Sequence, residues 1–360
     1  MQPRDLSDHA EYRAGRGVEE VARELGVDPG ELVTLSSNEN PLGPSPLAVE
    51  AIRTRADRVH RYPKAAHVDL TAAVAERHGV EPAQVWLANG GDGALDYLAR
   101  AFLEPGDAVT VPEPGFAYYA MAARFHHGTV RTWPVDREGG FELSAGPVLD
   151  AYGGERMVFL TSPHNPSGGR FTVGDVRAIA EGTDGSTLVV VDEAYHEFAE
   201  GDSAVSLLGD RDDVAVLRTF SKAYGLAGLR LGYALVPEAW ADAYARVTTP
   251  FAAGELACRA GLVALEDEVH VERSVALARE VREYYRESID APTWASHANF
   301  VLVDVGDASA VAEATRRRGV IVRDCTSFGL PDCVRVTCGT REEAERAVEA
   351  LNAAVAEAGG

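Results

Sequence analysis

The sequence predicts an α/β protein whose large domain has a mostly parallel central sheet flanked by helices, joined to a smaller α+β domain. Three observations carry this. Short apolar runs alternate with longer amphipathic stretches through most of the chain, and the pattern changes after about residue 250. The 360 residues are 46% hydrophobic and 25% charged, a composition able to fill more than one core. The expected division is an N-terminal arm at 1–34 that belongs partly to the smaller domain, the large domain at 35–250, and the smaller domain at 251–360.

The first expected strand is 85–88 (Val-Trp-Leu-Ala), followed by 108–111, 157–160, 188–191 and 214–217. Each is short, apolar and rich in β-branched or aromatic residues, and amphipathic segments such as 92–103 and 174–181 lie between them. Repeated βα units place ligands at the carboxyl ends of the strands, so the chemistry belongs just after these runs. Beyond 250 the chain reads as a helical region at 252–288, a strand at 300–303, a helix at 308–318, and short strands near 320–323 and 333–337. Thr340-x-x-Glu343 has the capping-box spacing that opens a last helix.

A formal net charge of −22 excludes a nucleic-acid binder held by phosphate neutralisation. Only two of the 34 basic residues are lysine, Lys64 and Lys222. Arginine-rich coding accounts for few lysines but not for the acidic excess, which fits a surface adapted to concentrated salt, where charges are screened over about 3 Å at 1 M. No apolar run is long enough to cross a bilayer and the opening residues hold no signal-like apolar stretch, so a cytoplasmic protein without membrane partners is expected. Cys258, Cys325, Cys333 and Cys338 form no C-x-x-C pair and read as buried free thiols. The His126-His127 doublet and the acidic stretch at 192–198 lack metal-ligand spacing, and no metal is expected.

Four segments fall where the strand-end rule places chemistry. Gly90-Gly91-Asp92-Gly93 opens a helix after a strand, so its backbone N–H groups and helix dipole can face a phosphate, although glycine turns at such junctions are common. Ser162-Pro163-His164-Asn165-Pro166 follows 157–160; its prolines stiffen Asn165, either as a binding group or as a structural turn. Asp192 ends a buried strand, which is costly for a carboxylate without a cationic partner, either a protonated ring nitrogen or an arginine. Arg218-Thr219-Phe220-Ser221-Lys222 carries one of the two lysines after a strand, with Arg230 eight residues on. A partly buried lysine serves as amine nucleophile and general base, and Thr219, Ser221 and Arg230 together suit a phosphate dianion.

These groups specify a ligand with an aldehyde for Lys222 and a phosphate for Gly91, Asp92, Gly93, Thr219, Ser221 and Arg230. It also carries a phenolic oxygen for Asn165 and Tyr195, and a basic ring nitrogen for Asp192. Pyridoxal 5′-phosphate has all four features, with Asp192 keeping its nitrogen protonated and Lys222 moving the proton. Phe116, after another strand, is the expected stacking aromatic, with a core role as its alternative. A Rossmann dinucleotide site would also show βα alternation, but no G-x-G-x-x-G follows a strand.

The order and spacing of these segments resemble the fold-type I pyridoxal-phosphate enzymes, class I/II aminotransferases, across essentially the whole chain. Within them the chain is similar to the histidinol-phosphate aminotransferase family, particularly its haloarchaeal members. The resemblance is carried by Asn38-Glu39-Asn40-Pro41-Leu42-Gly43-Pro44-Ser45-Pro46, Arg61-Tyr62-Pro63, the segments 161–168, 192–198 and 218–232, Val322-Arg323-Asp324, and Val334-Arg335-Val336. It implies transamination between imidazole-acetol phosphate and L-glutamate, yielding L-histidinol phosphate and 2-oxoglutarate, in histidine biosynthesis. It further implies a homodimer with shared sites, in which Tyr62 reaches the neighbouring subunit's cofactor phosphate. Arg335 would hold the α-carboxylate, Arg323 and Tyr12 the substrate phosphate, and Asn40 would contact substrate. Forked guanidinium donors suit both anions. Two departures stand out: the residue after Asp92 is Gly93 where an acid often follows, and Phe116 replaces a frequent tyrosine. The Arg323-Asp324-Cys325-x-x-Phe328-Gly329 run also resembles threonine-phosphate decarboxylases, which stand with aromatic aminotransferases as the alternative.

Overall fold

The computed structural model describes residues 6, 7, 9, 17–64 and 66–358, and Tyr12 lies outside them. Among the described residues the strands are β1 (Val33–Leu35), β2 (Val85–Asn89), β3 (Ala108–Glu113), β4 (Thr129–Pro134), β5 (Met157–Thr161), β6 (Leu188–Asp192), β7 (Val214–Thr219), β8 (Leu231–Leu235), β9 (Phe300–Asp304), β10 (Val320–Asp324) and β11 (Cys333–Thr337). They form a seven-stranded sheet in the order β2-β8-β7-β6-β5-β3-β4 and a four-stranded sheet in the order β1-β10-β11-β9.

In the larger sheet β8 runs antiparallel to β2 and β7 while the other neighbours are parallel. Period-2 alternation divides the central strands between two cores. Val158, Leu160, Val189, Val191 and Val216 face one, and Met157, Phe159, Leu188, Val190 and Leu217 face the other. Every residue of β5 and β6 is therefore buried. Helices cover both sides, and Gly90–Phe102 starts directly at the end of β2.

Three strands were not expected from the sequence. β4 is an edge strand, exposed at most positions, and its one buried residue, Trp133, donates its indole N–H to the Phe159 carbonyl over 3.1 Å. β1 is only three residues long and gains its order by pairing with β10, a contact across almost the whole chain. β8 contains Gly232, where a Cβ would lie 2.6 Å from the Gly90 carbonyl carbon, so a residue that weakens strand propensity permits the close backbone approach.

The helical region expected at 252–288 is broken at Asp267, whose carboxylate caps the second helix by accepting from the His270 amide over 3.2 Å. The first helix, Glu255–Glu266, packs Ala257, Ala260 and Ala264 into a core of the seven-stranded sheet. The second, Glu268–Ser288, packs Ala278, Val281 and Tyr285 into the core of the four-stranded sheet. The change of core thus comes after residue 250, because small residues let the first helix lie close to the larger sheet. Glu343 closes the expected capping box with Thr340 through hydrogen bonds in both directions, 2.6 and 3.3 Å. All four cysteines are buried and free, and no helix of the described residues is long and apolar enough to cross a membrane.

Candidate active site

The carboxyl ends of β5, β6 and β7 and the start of helix Gly90–Phe102 meet the four-stranded sheet around a cavity of about 440 Å³. Gly91, Asp92, Phe116, Asn165, Asp192, Tyr195, Thr219, Ser221, Lys222, Arg230, Arg323 and Arg335 all line it, so twelve residues singled out from sequence share one site.

Asp192, the last residue of β6, is 6% exposed. Its carboxylate accepts from the Tyr119 hydroxyl at 2.7 Å and the Ala194 amide at 3.0 Å. Burial outweighs these bonds and pushes its pKa up to about 6. The arginine alternative is not realised: Arg218 is committed to Glu193 at 2.8 Å and Glu197 at 3.0 Å, and among the described residues no cation pairs with Asp192. A buried carboxylate left in this state calls for a cationic ligand.

Lys222 donates to the Ser37 carbonyl over 3.1 Å, and its ammonium lies 5.6 Å from the centre of the Tyr195 ring. Burial lowers the amine to about 8, with the Arg335 guanidinium acting in the same direction and the Glu39 carboxylate opposing it. The amine therefore loses its proton far more readily than an ordinary lysine, which favours the nucleophilic form. Tyr195 accepts from the Asn38 side chain over 3.0 Å, which leaves its own hydroxyl hydrogen for an oxygen in the cavity. Asn165 accepts from Arg335 through its side-chain oxygen, leaving its NH₂ donors for the same use.

His164 explains the stiffness of the 161–168 turn. Burial holds its imidazole neutral, with a pKa of about 4. Nε2–H donates to the Pro114 carbonyl at 3.0 Å while Nδ1 accepts from Ser167 at 2.8 Å. One neutral ring thus ties the Asn165 turn to the loop that carries Phe116.

The residues at the other end form a phosphate-sized cradle. Arg230 adopts φ +52 and reaches Asp92 over 3.0 Å, while Thr219 donates to Ser221 over 3.0 Å. Gly90 has φ +76, and a Cβ there would come within 2.5 Å of the Arg230 guanidinium. An aldehyde-reactive amine, a buried unpaired carboxylate and this cradle fit pyridoxal phosphate.

Two expectations are corrected. Gly93 lies one step into the helix, packed on Ala88 and Asn89 rather than on the cavity. Asn40 spends its NH₂ donors on the Ala223 carbonyl at 2.9 Å and Ser274 at 2.8 Å, so it fastens the lysine loop and does not line this cavity. Tyr62, expected at a neighbouring subunit's site, is 84% exposed and stacks on Phe251, outside the cavity of its own chain. Cavity-wall residues that the sequence reading did not single out include Tyr119, Thr161, Glu39 and Phe328. The signal for Tyr119 was its place three residues beyond Phe116, which puts both on one side of the turn entering a helix.

The sequence pattern of the family described as aminotransferase class I and II matches residues 30–351. A histidinol-phosphate aminotransferase of Natronomonas pharaonis is 65% identical over 98% of this chain and 99% of its own length. One from Methanocella arvoryzae is 41% identical over 95% of each. Among solved structures, the histidinol-phosphate aminotransferase of Sinorhizobium meliloti in complex with pyridoxal-5′-phosphate has a TM-score of 0.87 at 27% identity, covering 96% of each chain.

Proposed function

The chain belongs to the class I and II aminotransferases, and we propose that it exchanges an amino group between L-glutamate and imidazole-acetol phosphate, giving 2-oxoglutarate and L-histidinol phosphate in L-histidine biosynthesis. The observation that carries this reading is the pairing of a buried, cation-seeking Asp192 and a low-pKa Lys222 with two arginines, Arg323 and Arg335, on the facing sheet. The histidinol-phosphate aminotransferases that are 65 and 41% identical to this chain support the substrate pair.

When bound, pyridoxal phosphate supplies an aldehyde that takes up the amino group and a protonated ring that accepts electrons from the substrate Cα. Asp192, oriented by Tyr119 and Ala194 N–H, holds the proton on the ring nitrogen. Asn165 and Tyr195, which line the cavity, would donate to the phenolic oxygen, and Phe116 would stack on the ring. Gly91 and Asp92 at the helix start, with Thr219, Ser221 and Arg230, would hold the phosphate. Lys222 would take a proton from the substrate Cα and return it, a role its lowered pKa suits. Arg335 is buried and fixed by Asn165 and the Ser36 carbonyl, which suits the α-carboxylate of glutamate, a group that histidinol phosphate lacks. Arg323, less buried, suits the phosphate of histidinol phosphate.

The working unit of this proposal is a cytoplasmic homodimer. Tyr62, Val59 and Val68 are 84, 67 and 63% exposed within ten residues of one another, an apolar surface that a second subunit would cover. Tyr62 from that surface would complete the partner's phosphate site. The −22 charge suits such a dimer to concentrated salt. Single-turnover absorbance spectra with histidinol phosphate test the reaction: loss of the loaded enzyme's visible band on mixing supports it, and an unchanged band rejects it.

A further inference from the structure

The cavity wall carries three carboxylates, and two already have a task. Asp92 pairs with Arg230 at 3.0 Å, and Asp192 is buried beneath its hydrogen bonds. The third, Glu39, makes no ion pair or side-chain hydrogen bond among the described residues, yet its backbone is fixed on both sides.

On one side Asn38, with φ +54, donates from its amide to Thr337 at 3.0 Å and from its side chain to Tyr195 at 3.0 Å. Its carbonyl accepts from Asn299 at 3.0 Å. On the other side Asn40 is held by Ala223 and Ser274. Glu39 is thus a carboxylate on a rigid mount, on the wall of a cavity that also presents Arg323 and Arg335 to anions. Leaving a negative charge beside those arginines weakens the grip on every anionic substrate, so it earns its place only against a cation.

We propose that Glu39 is a specificity-determining residue that binds the protonated imidazole ring of the phosphorylated substrate and disfavours the distal carboxylate of glutamate at the same position. This rests on the function proposed above. An imidazole titrates near 6.5 in water, so a nearby carboxylate can hold it as the cation at neutral pH. The other charged groups around Glu39 are Lys222 in the lysine loop, the Arg230–Asp92 pair, Asp192, and Arg323 and Arg335 on the facing sheet. None of the arginines can attract the ring, which leaves Glu39 as its partner.

The test uses the pyridoxal-phosphate-loaded enzyme and its Glu39→Gln and Glu39→Asp variants. Calorimetry measures the binding of two phosphate esters without an amino group, one ending in imidazole and one in phenyl. The expected result for Glu39→Gln is about tenfold weaker binding of the imidazole ester at pH ~5.5, less at pH ~7.5, and a change within about twofold for the phenyl ester. Glu39→Asp should recover part of the loss, and kcat/KM should fall for histidinol phosphate but not for glutamate. Equal weakening of both esters, or an equal loss with glutamate, overturns the inference in favour of an effect through Lys222. Wild-type enzyme that turns over histidinol phosphate while its variants bind the ring unchanged rejects this inference alone; wild-type enzyme inert to histidinol phosphate rejects the proposed function and this inference together.

Discussion

Arg323 of β10 and Arg335 of β11 stand directly opposite each other across an antiparallel pair, and both guanidiniums lie over the ring of Phe328, at 5.4 and 5.7 Å. Opposed residues point to the same face of a sheet, so this register presents both cations to one cavity. Like charges so placed repel, and an anion between or beside them relieves the repulsion.

The two arginines should separate by substrate. Arg335→Lys keeps the charge but loses the fork that bonds Asn165 and Ser36, and kcat/KM should fall about 10- to 100-fold for glutamate and less for histidinol phosphate. Arg323→Lys should lower kcat/KM for histidinol phosphate far more than for glutamate. Steady-state kinetics with each donor checks the division, and equal losses from both variants would remove it.

Lys222→Ala should abolish the visible absorbance that the loaded enzyme owes to its lysine-bound cofactor, and kcat should drop by at least about 10²- to 10⁴-fold. Lys64, ion-paired with Asp69 at 2.9 Å on the surface, supplies the control: Lys64→Ala should keep both colour and turnover.

Asp192→Asn should stabilise the cofactor-free protein while disabling the enzyme. The folded pKa, about 6, lies above the ordinary 3.8. The wild-type stability advantage of a neutral Asp192 is thus complete below about pH 4 and lost as pH rises through about 6. At pH 8 the variant should gain up to about 3 kcal/mol, seen as a rise of a few degrees in Tm, and at pH 4 the difference should vanish. Thermal melts of both apoproteins at the two pH values decide it.

Tyr119→Phe removes a hydrogen bond that lowers the Asp192 pKa. The acid limb of the pH–rate profile should move to higher pH, with kcat down about tenfold, and a profile identical to wild type would assign Tyr119 to packing alone.

Much of this site was legible because its chemistry sits at strand ends. Asp192 and Thr219 close buried strands, and Lys222 stood out in a chain with two lysines. Arg323 and Arg335 were readable only through the family resemblance, since their meeting depends on cross-strand register rather than sequence spacing. Asn40 shows the limit from the other side: it lies in the most telling motif but acts on backbone that sequence cannot show to be near, Ala223 and helix Glu268–Ser288. The edge strand β4 and the three-residue β1 were illegible for a similar reason, because long-range pairing and not propensity orders them.

Measuring kcat/KM for histidinol phosphate, phenylalanine and threonine phosphate with 2-oxoglutarate as acceptor, on the loaded protein in molar KCl, tests the central claim most directly. The account predicts glutamate formation with histidinol phosphate favoured at least about 100-fold over phenylalanine, and no carbon dioxide from threonine phosphate. Equal use of phenylalanine, or decarboxylation of threonine phosphate, would contradict it.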